Sequence, residues 1–134
     1  MLPAPNRLRR SADFSAAVRQ GARAGRPNLV IHCVLRGVQE PPRVGLTVGS
    51  AVGNSVVRHR VSRQLRALVH PLLSSMPLGT HVVVRALPGA ATCGTAALEI
   101  DLKSGLSAVL KKAEHKKTSE QTLINQDRAN KVKP

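Results

Sequence analysis

Residues 54–70 set apolar side chains three and four apart, with arginines filling the intervals. On a wheel of about 100° per residue counted from Arg58, the side chains of Val57, Val61, Leu65, Leu68 and Leu72 fall between roughly 260° and 340°. Arg60, Arg63, Arg66, His59 and His70 fall between roughly 80° and 200°, with Arg58 at the border. A stripe of this kind is satisfied by one face of a helix laid on a core. Asn54 is the expected cap of that helix, and Pro71 kinks or ends it.

The segments on either side read as strands and helices around this helix. Ser11 is the expected cap of a short first helix, with Asp13 complementing its dipole and Gly21 as its stop; Phe14, Ala17 and Val18 share a face. Residues 28–36 and 43–48 are β-rich, separated by a turn over 37–42, and are expected to pair antiparallel with each other. Residues 80–87 hold Val82, Val83 and Val84 in succession, as a strand covered on both faces requires. Leu98, Leu102, Leu106, Val109 and Leu110 stand at helical spacing and predict a helix over residues 95–113, weakened at Gly105. The order of elements is therefore α-β-β-α-β-α, an α+β class. One domain over residues 1–113 is expected, followed by a flexible basic C-terminal tail over 114–134. Phe14 is the sole aromatic residue, so the core must be built from Val, Leu, Ile and Ala.

Twenty-one Lys and Arg against seven Asp and Glu give a net charge of +14, more than solubility requires, and call for a polyanionic partner. The charge is uneven: residues 74–110 are neutral, while the remainder is basic throughout. One side of the fold is thus expected to face the polyanion and another not. A solvated helix face usually mixes signs, so that pairs one turn apart offset repulsion; residues 54–70 carry four arginines and no acid. Like charges left unpaired imply an absent anion. Arginine without lysine also suits phosphate, whose oxygens a planar guanidinium binds two at a time.

Other chemistries find little support. No apolar run approaches a membrane span, and residues 1–7 lack the apolar stretch of a signal peptide, so a cytoplasmic protein with no membrane partner is expected. Cys33 and Cys93 lie far apart with no ligand spacing and are expected to be reduced. The five histidines form no HExxH pattern, so neither a metal site nor a catalytic residue is expected in the protein itself. Gly45, Gly49 and Gly53 are followed by no Lys-Ser or Lys-Thr, which argues against a nucleotide loop.

Val44-Gly45-Leu46-Thr47-Val48, followed by residues 51–66 with Gly53-Asn54 and Arg58-His59-Arg60-x-x-Arg63-x-x-Arg66, resembles the signature of the bacterial ribonuclease P protein. That family has a strand, a Gly-Asn turn and an arginine-rich helix. His59 stands where the family has Asn, and Ser62 and Ser50 where it has Lys. Asn6-Arg7-Leu8-Arg9-Arg10 with Asp13-Phe14 resembles the family's opening, and Val82-Val83-Val84-Arg85 its last strand. The resemblance covers residues 6–112. It implies an α/β sandwich resembling a ribosomal protein domain, with a left-handed β-α-β crossover that contains the arginine helix. It also implies a noncatalytic subunit that binds one catalytic RNA, 1:1, and assists removal of the 5′ leader from precursor tRNA, with no cofactor bound by the protein alone and Mg2+ held mainly by the RNA. The RNA-binding residues so implied are Asn54, Arg58, His59, Arg60, Arg63 and Arg66, with Arg7, Arg9 and Arg10. Phe14, Val18, Val30 and His32 are implied to line a leader cleft. A ribosomal or architectural RNA-binding protein without an enzymatic partner is the competing reading. A sheet that stacks bases would need exposed aromatics, and a helix-turn-helix reader would need two adjacent helices.

Overall fold

The computed structural model describes the backbone of residues 2–132 and the side chains of residues 2–115. After a 3-10 turn at Ala4–Asn6 the elements are α1 (Ser11–Gln20), β1 (Ala22–Gly25), β2 (Leu29–Leu35), β3 (Arg43–Thr47), α2 (Ser55–Val69), β4 (Thr80–Ala86) and α3 (Thr95–Val132), with short 3-10 turns at His70–Ser75 and Pro88–Ala91. The mixed α+β architecture is as expected, with one short strand added to the order.

The sheet runs β1-β2-β4-β3. The strands at 29–35 and 43–47 do not pair with each other as expected. β2 pairs antiparallel with β4 and β3 pairs parallel with it, so β4 lies between them. The run Val82-Val83-Val84 explains this, because a strand apolar on both faces belongs at the centre of a sheet, whereas a hairpin across 37–42 would have left it at an edge. β1 escapes the sequence reading because Ala-Arg-Ala-Gly offers no β-branched or aromatic residue; it is an edge strand held by β2.

Alternation along the strands separates two faces. Leu29, Ile31, Cys33, Val44, Val82, Val84 and Ala86 join α2 and α3 in the main core, with Val61, Leu65, Leu98, Leu102 and Val109 at most 1% exposed. Each such aliphatic side chain contributes at most about 1.5–3 kcal/mol on burial. The opposite face carries three cross-strand rows, Val30·Arg85·Thr47, His32·Val83·Gly45 and Val34·His81·Arg43. α1 crosses the middle of that face, where Ala17, Leu8 and Val83 form a small second core flanked by Phe14 and Val34.

Local corrections concern the ends. Arg10, not Ser11, occupies the cap position of α1, and no side chain caps that helix. Gly21 does end it, where a Cβ would stand 2.3 Å from the Ala17 carbonyl oxygen. α3 does not stop near Ala113 but continues through Val132, so the boundary expected at residue 113 falls inside a helix. Ala113 is the last buried residue among those whose side chains are described. Asp101 ties α3 to the β1–β2 turn, its Oδ2 accepting from the backbone N–H of Asn28 at 3.0 Å and from Asn28 Nδ2 at 3.1 Å.

Candidate nucleic-acid interface

α2 begins where the sequence places it. Asn54 Oδ1 accepts from the Val57 N–H at 3.0 Å, so the oxygen of this expected RNA-binding residue is engaged in capping. The helix ends at Val69, and Pro71 lies in the 3-10 turn that follows. Val61, Leu65 and Val69 are buried while Val57, Leu68 and Leu72 are half-buried, so the core-facing arc is rotated toward Arg58. Arg58 is accordingly half-buried, its Nε enclosed without a hydrogen-bond partner.

The remaining basic residues of α2 divide between two concavities. His59, Arg60 and Arg63 line one with Ser55 and Val56, on the exposed side of the helix. Arg60 also donates to the Ala91 carbonyl, and Gln64 Nε2 donates to Thr95 Oγ1 at 2.9 Å, which fixes α2 against the start of α3. Arg66 lines a second pocket of about 440 Å³ with Arg7, Arg9, Leu8, Phe14 and Gly45. The N-terminal segment reaches it by docking on β3: the Leu8 N–H donates to the Val44 carbonyl at 3.1 Å, Asn6 Nδ2 to the Pro42 carbonyl at 2.9 Å, and Arg43 Nη1 to the Arg7 carbonyl at 3.2 Å. Arginines about sixty positions apart in sequence thus surround one pocket. Arg10 points to a separate pocket with Asp13, Arg36, Glu40, Arg43 and His81.

The four residues implied for a leader cleft are not gathered in one cavity. Val18, 47% exposed, and His32 line a pocket of about 320 Å³ with Thr47, Gly49, Val83 and Arg85. Val30 lies on the same sheet face, one row from His32. Phe14, one turn earlier on the same side of α1, is half-buried against Gly45 and the small core. Burial holds His32 below the ordinary histidine range, and the neighbouring Arg23 and Arg85 act the same way. Arg85, exposed between Val30 and Thr47, was missed as a site residue; its signal is the period-two alternation that carries Val83 and Arg85 to one face.

Elsewhere, burial pushes the Cys33 thiol up to about 12, so it behaves as a core residue. Among the described residues no three His, Cys, Asp or Glu side chains cluster as metal ligands would, and no helix is long and apolar enough to cross a membrane. The single ion pair among them joins Lys103 to Glu99 on α3, leaving the arginines of α1 and α2 without carboxylate partners.

A profile of the family Ribonuclease P matches residues 2–113. The ribonuclease P protein component of Rhodococcus opacus is 51% identical over 112 residues, covering 79% of this chain and 90% of that protein. The component from Streptomyces bikiniensis is 51% identical over 120 residues, covering 82% and 96%. In three dimensions the chain is similar to the RNase P protein of Staphylococcus aureus, with a TM-score of 0.65 at 24% identity over 81% of this chain and 94% of that one. The RNase P protein of Thermotoga maritima gives a TM-score of 0.65 at 20% identity, over 77% and 96%. These structures share the fold, and the sequence relatives carry the assignment: the chain belongs to the ribonuclease P protein family.

Proposed function

We propose that the chain is the RNA-binding, noncatalytic subunit of a cytoplasmic ribonuclease P, assembling 1:1 with the catalytic RNA and assisting endonucleolytic removal of the 5′ leader from precursor tRNA. The observation that carries this is the convergence of Arg7 and Arg9 with Arg66 on one pocket, beside His59, Arg60 and Arg63 on the next stretch of the same helix. Guanidinium groups bind phosphate oxygens strongly but stay protonated at neutral pH, so this surface is suited to holding RNA rather than to moving protons. The hydrolytic chemistry, with its Mg2+, belongs in this reading to the RNA.

The leader, an unpaired strand, enters the opening lined by Val18, His32 and Arg85, with Val30 alongside. This offers a partly apolar wall and one cation, Arg85, while Phe14, one turn away on α1, supports that helix on the sheet. The tail beyond residue 113 adds nonspecific attraction. The experiment is reconstitution: purified protein is mixed with the organism's own catalytic RNA and a labelled precursor tRNA at low Mg2+. The protein should stimulate release of the leader at the mature 5′ end and should copurify with one abundant RNA of a few hundred nucleotides, on the order expected of a dedicated partner. Copurification with ribosomal RNA and no stimulation would instead mark a ribosomal or architectural protein.

A further inference from the structure

We propose that the pocket at the start of α1, lined by Arg9, Arg10, Arg36, Arg43 and His81, is a second phosphate-binding site that takes a backbone phosphate of an RNA strand. It rests on the reading of the chain as an RNA-binding protein. It lies on the far side of α1 from the opening at Val18 and His32.

The pocket has a volume of about 470 Å³, and Asp13, Val38 and Glu40 complete its lining. Four guanidinium groups meet two carboxylates there, and no pair among them approaches within 4.0 Å. The excess positive charge is thus left uncompensated around an open space. At the floor, His81 is 6% exposed and its Nδ1 is enclosed without a hydrogen-bond partner. Burial is the main cause holding this ring below the ordinary histidine range, so it is neutral at pH 7. With Nδ1 enclosed, Nε2 is the ring atom left to face the pocket, and a phosphate oxygen there would select the tautomer that donates from Nε2.

The surroundings are preorganised. The loop that carries Arg36 and Glu40 is tied to the turn before β4: the Arg36 N–H donates to the Gly79 carbonyl at 2.9 Å, and the Gly79 N–H to the Glu40 carbonyl at 2.7 Å. Gly79 has a φ of +77°, and a Cβ there would stand 2.6 Å from the Val38 carbonyl oxygen, so only glycine closes this loop without strain. Arg43 sits opposite His81 in the register of β3 on β4. The outer rows of this sheet face are four residues apart along each strand, about 13 Å, so the two openings lie on one face with α1 between them.

The test follows the His81 ring by NMR in the full chain. Inorganic phosphate is titrated first, then a short single-stranded RNA with a 5′-hydroxyl or a 5′-phosphate. Phosphate should shift the His81 ring signals saturably, and the Arg10→Gln/Arg36→Gln variant, altered only at exposed positions, should weaken that response about tenfold or more. The oligomer with a 5′-hydroxyl should shift them too. A ring that ignores phosphate, or that responds equally in the variant, overturns the site. A response confined to the 5′-phosphorylated oligomer overturns the backbone assignment in favour of a terminal phosphate. Arg60→Gln/Arg63→Gln/Arg66→Gln is run in parallel and should keep the His81 response even where affinity for the catalytic RNA is lost, so failure at α2 and failure here are read separately.

Discussion

The Phe14 ring lies against the backbone of Gly45, so that a Cβ added there would stand 2.3 Å from Cζ and 2.4 Å from Cε1. α1 packs mainly on β2 and β4, and this contact carries its first turn out to β3. Gly45→Ala should therefore force the ring aside and cost about 1–3 kcal/mol, read as a lower Tm. Phe14→Leu should relieve part of that cost. In a double-mutant cycle the coupling should be about 0.5–3 kcal/mol, and strictly additive effects would show that the ring does not bear on β3. If Phe14 only supports α1, Phe14→Leu lowers Tm while the ratio of precursor to mature tRNA affinity holds; if it stacks on a leader base, that ratio falls.

His32 and His81 give the free protein an acid limit. Both are depressed first by burial; His32 is depressed further by Arg23 and Arg85, and His81 by Arg36 and Arg43, with Asp13 and Glu40 opposing. Below the unfolded value of about 6.5 the unfolded chain binds more protons than the folded one, so stability rises with pH through that window. It should be complete above about pH 6.5 and should fall as pH drops from there toward the folded values. Tm measured at about pH 7.5 and 5.5 should differ more in wild type than in His32→Gln/His81→Gln.

How much of this could be read from the sequence depended on which interactions were local. The α2 cap, its end near Pro71 and its arginine arc were legible because each is set within a few residues. The pairing of β2 and β3 on β4 was not, since it is a competition among strands that no hairpin signal resolves. Neither was the separation of Phe14 from Val18: they stand one turn apart on the same side of α1, yet Phe14 lies against Gly45 while Val18 opens onto the pocket at His32, which the placement of α1 on the sheet decides. Arg36 and Arg43 were passed over because they flank a turn, where isolated arginines carry no pattern. Their meeting with His81 depends on the parallel register of β3 with β4.

Residues 116–134 carry a net charge of +3 and lie beyond the stretch matched by the family. Their deletion should leave the folded core, with its last buried contact at Ala113, and leave cleavage intact. Affinity for RNA should weaken chiefly at low salt, where the Debye length is long, and little near physiological ionic strength. Loss of folding on deletion would show that the segment contributes packing.

The central claim is that α2 holds RNA through its arginines, and its most direct measurement is the affinity of Arg60→Gln/Arg63→Gln/Arg66→Gln for the catalytic RNA across a salt series. The three side chains lie off the buried arc, and only Arg60 makes a hydrogen bond within the protein, so Tm should stay within a few degrees, about the loss of one such bond. Affinity should fall by about tenfold or more, and the slope of log affinity against log salt should become shallower by roughly 0.7 to 0.9 for each phosphate contact removed. Unchanged affinity with an unchanged slope, in a variant that folds as wild type, would contradict the account.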